Sequence, residues 1–167
     1  MKPPSSPQPI ATRRSPLALW QAREVQARLA RACGLEGDDA DAAFPIRGLV
    51  STGDKIQDRT LLEAGGKGLF TKEIDEAQLS GEAVYAVHSM KDVPTELPDG
   101  LLLGAILERE DPRDMLLARG GETRLADLPE GVVVVTASLR RQAQLLPARP
   151  DITIVPPRGN VATRLGN

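Results

Sequence analysis

Between residues 9 and 50 the chain switches periodicity twice, and this alternation limits the possible folds more than any other feature. Residues 9–12 read as a short apolar strand, with Arg13 and Arg14 in the turn after it. Ser15-Pro16 then supplies an N-cap and a proline at the first helical position, where its missing N–H leaves no gap. Ala18, Ala22, Val25, Leu29 and Ala32 recur at helical spacing on one face, and Gly34 can close the helix. The stretch GLEGDDADA reads as a connecting loop, and residues 44–50 as a second strand. Strand, helix and strand in this order form a βαβ opening, which needs a parallel pair.

The pattern continues. Residues 70–79 read as a helix with Phe70, Ile74 and Ala77 inward, and residues 84–87 as a buried strand. Residues 101–107 and 115–118 read as strands, 125–128 as a helical turn, and 132–136 as a buried strand. Ser138 caps a helix with Leu139, Ala143 and Leu146 inward that ends by Pro150, and residues 152–155 form the next strand. The expected fold class is α/β with mainly parallel sheets. The expected organisation is a disordered leader (1–8), a first lobe (9–107), a charged crossover (108–114) and a partial second lobe (115–167). The crossover, EREDPRD, reads equally as an ion-paired bridge and as an exposed charged loop.

Several function classes are excluded. Aromatics make up 2% of the chain, so the core is aliphatic and surfaces for stacking bases are scarce. With a net charge of −2, nucleic acid is not an expected partner. Lys67 lies between glycines, but a Walker loop would need glycine where Leu61 stands, and Thr71 breaks the dinucleotide fingerprint. Cys33 is the single cysteine, which rules out an internal disulfide and a cysteine-based zinc site. His88 is the single histidine, so no metal is expected either. The polar, proline-rich start has no apolar signal core, and no apolar run is long enough to span a bilayer. The cytoplasm is the expected location.

Two clusters carry chemistry. In AVHSMKDVP (86–94), an apolar lead-in delivers His88, Ser89, Lys91 and Asp92 to the end of a strand, where α/β proteins place substrate-handling groups. Taken alone, the same stretch reads better as a polar turn with a Lys–Asp surface pair. The second cluster is basic. From residue 131 onward there are five arginines and one acid, Asp151, so this segment is +4 in a chain that is −2 overall. Arg140 and Arg141 sit in the first turn of their helix, where the dipole is unfavourable to cations. An anion bound there would reverse the sign, because free N–H groups and guanidinium forks would converge on it. Arg158 and Arg164 flank the next strand-to-helix turn, and Arg13 holds an equivalent place after the first strand. The pattern fits a ligand with several carboxylates, and fits phosphate nearly as well.

Taken together, IATRRSPLALWQA (10–22), STGD (51–54), GGKGLFTKEI (65–74), AVHSMKDVP (86–94), EREDPRD (108–114), SLRRQAQL (138–145) and RGNVATRL (158–165) resemble the porphobilinogen deaminase, or hydroxymethylbilane synthase, family. The seven segments occur in order over almost the whole chain after residue 9. The resemblance implies a transferase of tetrapyrrole and haem biosynthesis, joining four porphobilinogen molecules head to tail with release of ammonia. It also implies a covalently bound dipyrromethane cofactor, two lobes like those of periplasmic binding proteins, and a small third domain bearing the cofactor cysteine. By the same resemblance Asp92 is the catalytic carboxylate, stabilising the pyrrole cation left when ammonia departs, with Lys91 beside it. Arg13, Ser15, Lys67, His88, Ser89 and Lys91 would bind cofactor or chain carboxylates in the first lobe. Thr136, Ser138, Arg140, Arg141, Arg158, Gly159, Asn160 and Arg164 would do so in the second.

The chain departs from the family pattern at Val135 and Ala137, which replace a glycine and a serine. If that glycine has positive φ, Val135 requires a different turn. Cys33 matches no cofactor motif. The second lobe is expected to be incomplete and the third domain absent, so the chain alone is expected to show no turnover. Its uncovered apolar faces are expected to promote self-association, whereas full-length family members are usually monomers. From another class, a non-catalytic periplasmic-binding-type module for a small dicarboxylate or oxyanion would share the lobes and the helix-end arginines.

Overall fold

The computed structural model describes residues 1–55 and 68–157. The chain divides into two compact units, Met1–Gly104 and Ala105–Asn167.

The first unit is built on strand β1 (Ile10–Arg13), which lies between β2 (Ile46–Leu49) and β3 (Tyr85–Ala86) in a parallel three-stranded sheet. Ile10 pairs with Ile46 on one side and with Tyr85 on the other. Successive strand side chains face opposite ways. Ile10 accordingly joins Ala22, Ala30, Cys33 and Phe44 in one core, while Ala11 joins Ile74, Ala77 and Ala83 in another. Ile10, Ala11 and Thr12 are all fully buried, so the strand is covered on both faces. The Thr12 hydroxyl lies within hydrogen-bond reach of two carbonyls, Val87 O at 3.1 Å and Ala18 O at 3.3 Å.

Helix α1 (Pro16–Cys33) starts and stops where its sequence signals lie. Ser15 Oγ accepts from the Ala18 N–H at 3.3 Å, and Pro16 opens the helix. At the other end Gly34 has φ of +68°, and Leu35 N–H reaches back to Ala30 O at 2.9 Å in a Schellman closure. The expected loop after it is in part a helix, α2 (Gly37–Ala43). Asp38 and Asp39 favour the positive end of its dipole, and Ala40 and Ala43 pack against the Phe44 core. The one-turn α3 (Thr52–Lys55) follows β2, and α4 (Lys72–Leu79) buries Ile74 and Ala77 as expected. Phe70 stands in the turn before α4 instead of on it.

The second unit contains a parallel pair, β4 (Val133–Val135) and β5 (Thr153–Val155), joined through helix α5 (Leu139–Ala148). Residues 125–127 form the expected helical turn. Helix α5 ends ahead of Pro150, with Pro147 already in its last turn. Leu128, Thr136 and Ile152 are buried, but Val133, Val135, Leu139 and Leu146 are exposed, contrary to a buried strand and an inward helix face. A two-stranded sheet with one helix cannot cover both of its faces. Arg149 ties the unit together: it donates in a bidentate fork to Asp151, each bond 2.7 Å, and to the carbonyls of Leu125, Leu128 and Pro129.

Two expected strands do not form. Residues 101–107 and 115–118 have no regular structure, and Leu102, Ile106, Met115 and Leu117 are largely exposed. An apolar run forms a strand only where a neighbouring ladder receives it. The observed class is mixed helix and parallel sheet, as expected.

Phe44 is 1% exposed and, among the described residues, the largest fully buried side chain. Phe44→Ala should lower stability by about 3–5 kcal/mol in urea unfolding of the chain, with little change in slope.

Candidate functional site

Parallel strands deliver their carboxyl ends to one edge of a sheet, and in α/β proteins ligands bind there. In the first unit that edge receives Arg13 as the last residue of β1 and Ser15 beyond it, Ser51 and Asp54 after β2, and His88 to Asp92 after β3. Asp92 closes a single 3₁₀ turn, Met90–Asp92, its N–H bonded to Ser89 O at 2.9 Å. Asp92 Oδ2 lies 3.9 Å from Arg13 Nη1.

The other edge of the Arg13 guanidinium is committed elsewhere. Nε and Nη2 both donate to the Asp54 carboxylate, the Nε bond measuring 3.2 Å. Ser51 Oγ donates to Asp54 Oδ2 at 2.7 Å. Burial alone would raise the Asp54 carboxyl pKa, but the bonds from Arg13 and Ser51 outweigh it and hold the group below its ordinary value. The Phe70 ring stacks on the guanidinium, 4.2 Å from ring centre to carbon. On the Phe70 ring also rests the backbone of Gly53, where a Cβ would come within 2.3 Å of a ring carbon. Only glycine fits there without displacing the ring.

Ser89 Oγ donates to Gln21 Oε1 of α1 at 3.2 Å, tying this turn to the first helix. Burial pushes the His88 imidazole below its usual pKa; Asp75 and Asp92 pull it up, Arg13 pushes it down, and the net shift is downward. The ring is therefore neutral at pH 7, able to donate one hydrogen bond and accept another. The Lys91 side chain is exposed. Ser15 serves as the cap of α1.

In the second unit Thr136 and Ser138 lie at the end of β4. Thr136 Oγ1 accepts from Ser138 N–H at 3.2 Å, and Ser138 Oγ accepts from Arg141 N–H at 3.3 Å. Each hydroxyl that accepts retains a proton to donate. Val135 pairs with Val155 in the ladder, and no described residue other than glycine has positive φ. The turn is therefore made with an extended valine. Arg140 and Arg141 converge on one carboxylate: Asp114 accepts from Arg141 Nη2 at 2.8 Å and from Arg140 Nη2 at 2.9 Å. These two bonds lower the Asp114 carboxyl to about 2.

The carboxylate seated between Arg140 and Arg141 is of the kind that a dipyrromethane would present, so the donor set fits that cofactor. The first unit offers carboxylate, guanidinium, imidazole and hydroxyl groups on one edge, which suits pyrrole N–H groups and acetate or propionate arms. Lys67, Arg158, Gly159, Asn160 and Arg164 lie outside the described residues. Cys33 is buried in the first core with its thiol toward Lys2 O at 3.6 Å. A shallow groove of about 390 Å³, lined in part by Glu73, Glu76 and Glu82, holds none of the candidate residues, and its charge disfavours carboxylates.

Sequence reasoning did not single out Asp54 or Asp114. Asp54 stood within the quoted STGD motif, and an acid after β2 beside an arginine after β1 was the available signal. Asp114 lies 26 residues from Arg140, and only the fold brings it there.

A family model described as "Porphobilinogen deaminase, dipyromethane cofactor binding domain" matches residues 9–167. Among curated relatives, porphobilinogen deaminase of Phenylobacterium zucineum is 56% identical over 160 residues, covering 94% of this chain and 50% of that protein. That of Caulobacter vibrioides is 56% identical, covering 93% and 49%. That of Geotalea daltonii is 54% identical over 157 residues, covering 93% and 46%. The chain thus spans about half the length of the curated relatives it matches.

Because burial depresses the His88 pKa, the unfolded chain takes up that proton more readily than the folded one. His88 therefore contributes stability above its ordinary value of 6.5, and loses it as pH falls toward the lower folded value. Urea midpoints at pH 7.5 and 5.5 should fall further for the native chain than for His88→Gln.

Proposed function

The chain belongs to the porphobilinogen deaminase family, and from this premise we propose that it carries the reaction centre of a hydroxymethylbilane-forming transferase. In that reaction porphobilinogen loses ammonia, and its methylene carbon joins the growing chain, four units in all. The observation that carries this reading is Asp92, held at the carboxyl edge of a parallel sheet with a guanidinium group 3.9 Å away.

The chemistry follows from charge. As ammonia leaves the aminomethyl group, positive charge spreads onto the pyrrole nitrogen. The Asp92 carboxylate stabilises that charge, most effectively where water is excluded. It then accepts the proton released when the next pyrrole carbon forms its bond and aromaticity returns. Arg13 balances the charge of the carboxylate from the other side. Neutral His88 and Ser89 offer hydrogen bonds to acidic arms without adding a fixed charge at the reacting nitrogen, and Lys91 offers an ammonium group to one of those arms.

Bound dipyrromethane supplies the nucleophilic pyrrole carbon at which the chain begins. With Arg13 forked onto Asp54 and serving Asp92, Ser15, Lys67, His88, Ser89 and Lys91 hold acidic arms in the first unit. In the second, Thr136, Ser138, Arg140, Arg141, Arg158, Gly159, Asn160 and Arg164 take the same role. A ligand carboxylate at Arg140 and Arg141 takes the place of Asp114, one carboxylate for another, so the guanidinium groups remain neutralised. The parallel sheets, with candidate groups at the ends of strands, support reading the units as lobes of the periplasmic-binding-protein kind. The relatives lend no support to a non-catalytic oxyanion-binding module.

Asp92→Asn should cut turnover by about 100-fold or more in the enzyme carrying this chain, read as ammonia release and hydroxymethylbilane formation. Turnover within a few-fold of the native enzyme would sink the assignment. Arg140→Ala with Arg141→Ala should instead raise KM more than it lowers kcat.

A further inference from the structure

We propose that Asp54 is a positioning residue: it fixes the Arg13 guanidinium so that the Nη1 edge faces Asp92. This rests on reading Asp92 as the reacting carboxylate. An arginine side chain has several rotatable bonds, and an unrestrained guanidinium beside two aspartates would divide its time between them. Here four contacts remove that freedom. Nε and Nη2 fork onto Asp54, Ser51 Oγ holds the Asp54 carboxylate from behind, and Phe70 covers the guanidinium plane. Gly53 lets α3 lie close enough to Phe70 for the stack to form.

The geometry divides one cation between two acids. The fork takes the Nε and Nη2 side, which is the side with bidentate geometry for a carboxylate. Nη1 takes no part in the fork and lies at 3.9 Å from Asp92 Oδ2, beyond direct hydrogen-bond distance. Asp92 therefore has a nearby positive charge without surrendering its oxygens to a tight ion pair. If Asp54 were removed, Arg13 could close on Asp92 and occupy the carboxylate that the pyrrole nitrogen requires. Side-chain and backbone anchors also fix the Asp54 turn itself: Thr52 Oγ1 donates to Glu73 Oε1, and Gly53 N–H donates to Leu69 O at 2.7 Å.

Two measurements test this independently. In the chain labelled with ¹⁵N-arginine, Arg13 Nε–H should exchange slowly with solvent. It should exchange about tenfold faster in Asp54→Ala, and by a smaller factor in Asp54→Asn, which keeps one acceptor. In the enzyme, kcat should fall by about 10- to 100-fold in Asp54→Ala and less in Asp54→Asn, with KM for porphobilinogen within about twofold. Ser51→Ala, which withdraws one bond from Asp54 but leaves its charge, should shift both readouts in the same direction by less. Unchanged exchange in Asp54→Ala would show that the fork does not hold Arg13. Unchanged kcat, or a raised KM at constant kcat, would overturn the positioning role. Failure of the Asp92 assignment shows separately, as an active Asp92→Asn enzyme, and leaves the exchange result standing.

Discussion

The first unit depends on the complete burial of one four-residue strand. β1 is paired on both edges and covered on both faces, so its polar backbone has no water to turn to and must be satisfied by neighbouring strands. The helical connections between the strands make those neighbours parallel. Direction in turn decides the chemistry: the residues after each strand come together on the same edge, although Arg13, Asp54 and Asp92 are far apart in sequence. Four residues of ordinary composition thus bring three charged side chains together.

Features with local causes were legible before any coordinates. Helix α1 has its cap, its proline and its terminal glycine in the sequence, and each does in the fold what its chemistry suggests. Helix α4, β1, β2 and the β4–α5–β5 segment follow from periodicity in the same way. What was illegible had distant causes. Gly37–Ala43 looked like a loop because Gly and Asp are poor helix formers, yet Ala40 and Ala43 find a core to pack against. Residues 101–107 looked like a strand because they are apolar, but apolarity reports only a preference for cover and says nothing about which partner provides it.

The site follows the same division. Motifs singled out Asp92, the arginines and the hydroxyls as candidates, because residue type and position relative to strand ends are visible in the sequence. The acids that hold those arginines were not visible as partners. Charge counting made the segment from residue 131 onward look strongly basic, but Arg149 is wholly engaged with Asp151 and backbone carbonyls, and Asp114 neutralises part of the rest. An excess of arginine over a segment is thus a poor measure of its capacity for an anionic ligand. The useful measure is which guanidinium edges remain after the protein's own acids have been seated.

Thr12 links two places that chain order keeps apart. Its hydroxyl carries one proton, and two carbonyls stand within reach of it, one in the first turn of α1 and one just before His88. A stronger bond to one weakens the bond to the other. The opening turn of the helix and the approach to His88 therefore behave like the two ends of a see-saw. Whatever draws the backbone at Val87 away from β1 hands the proton to Ala18, and a pull on the helix start does the reverse.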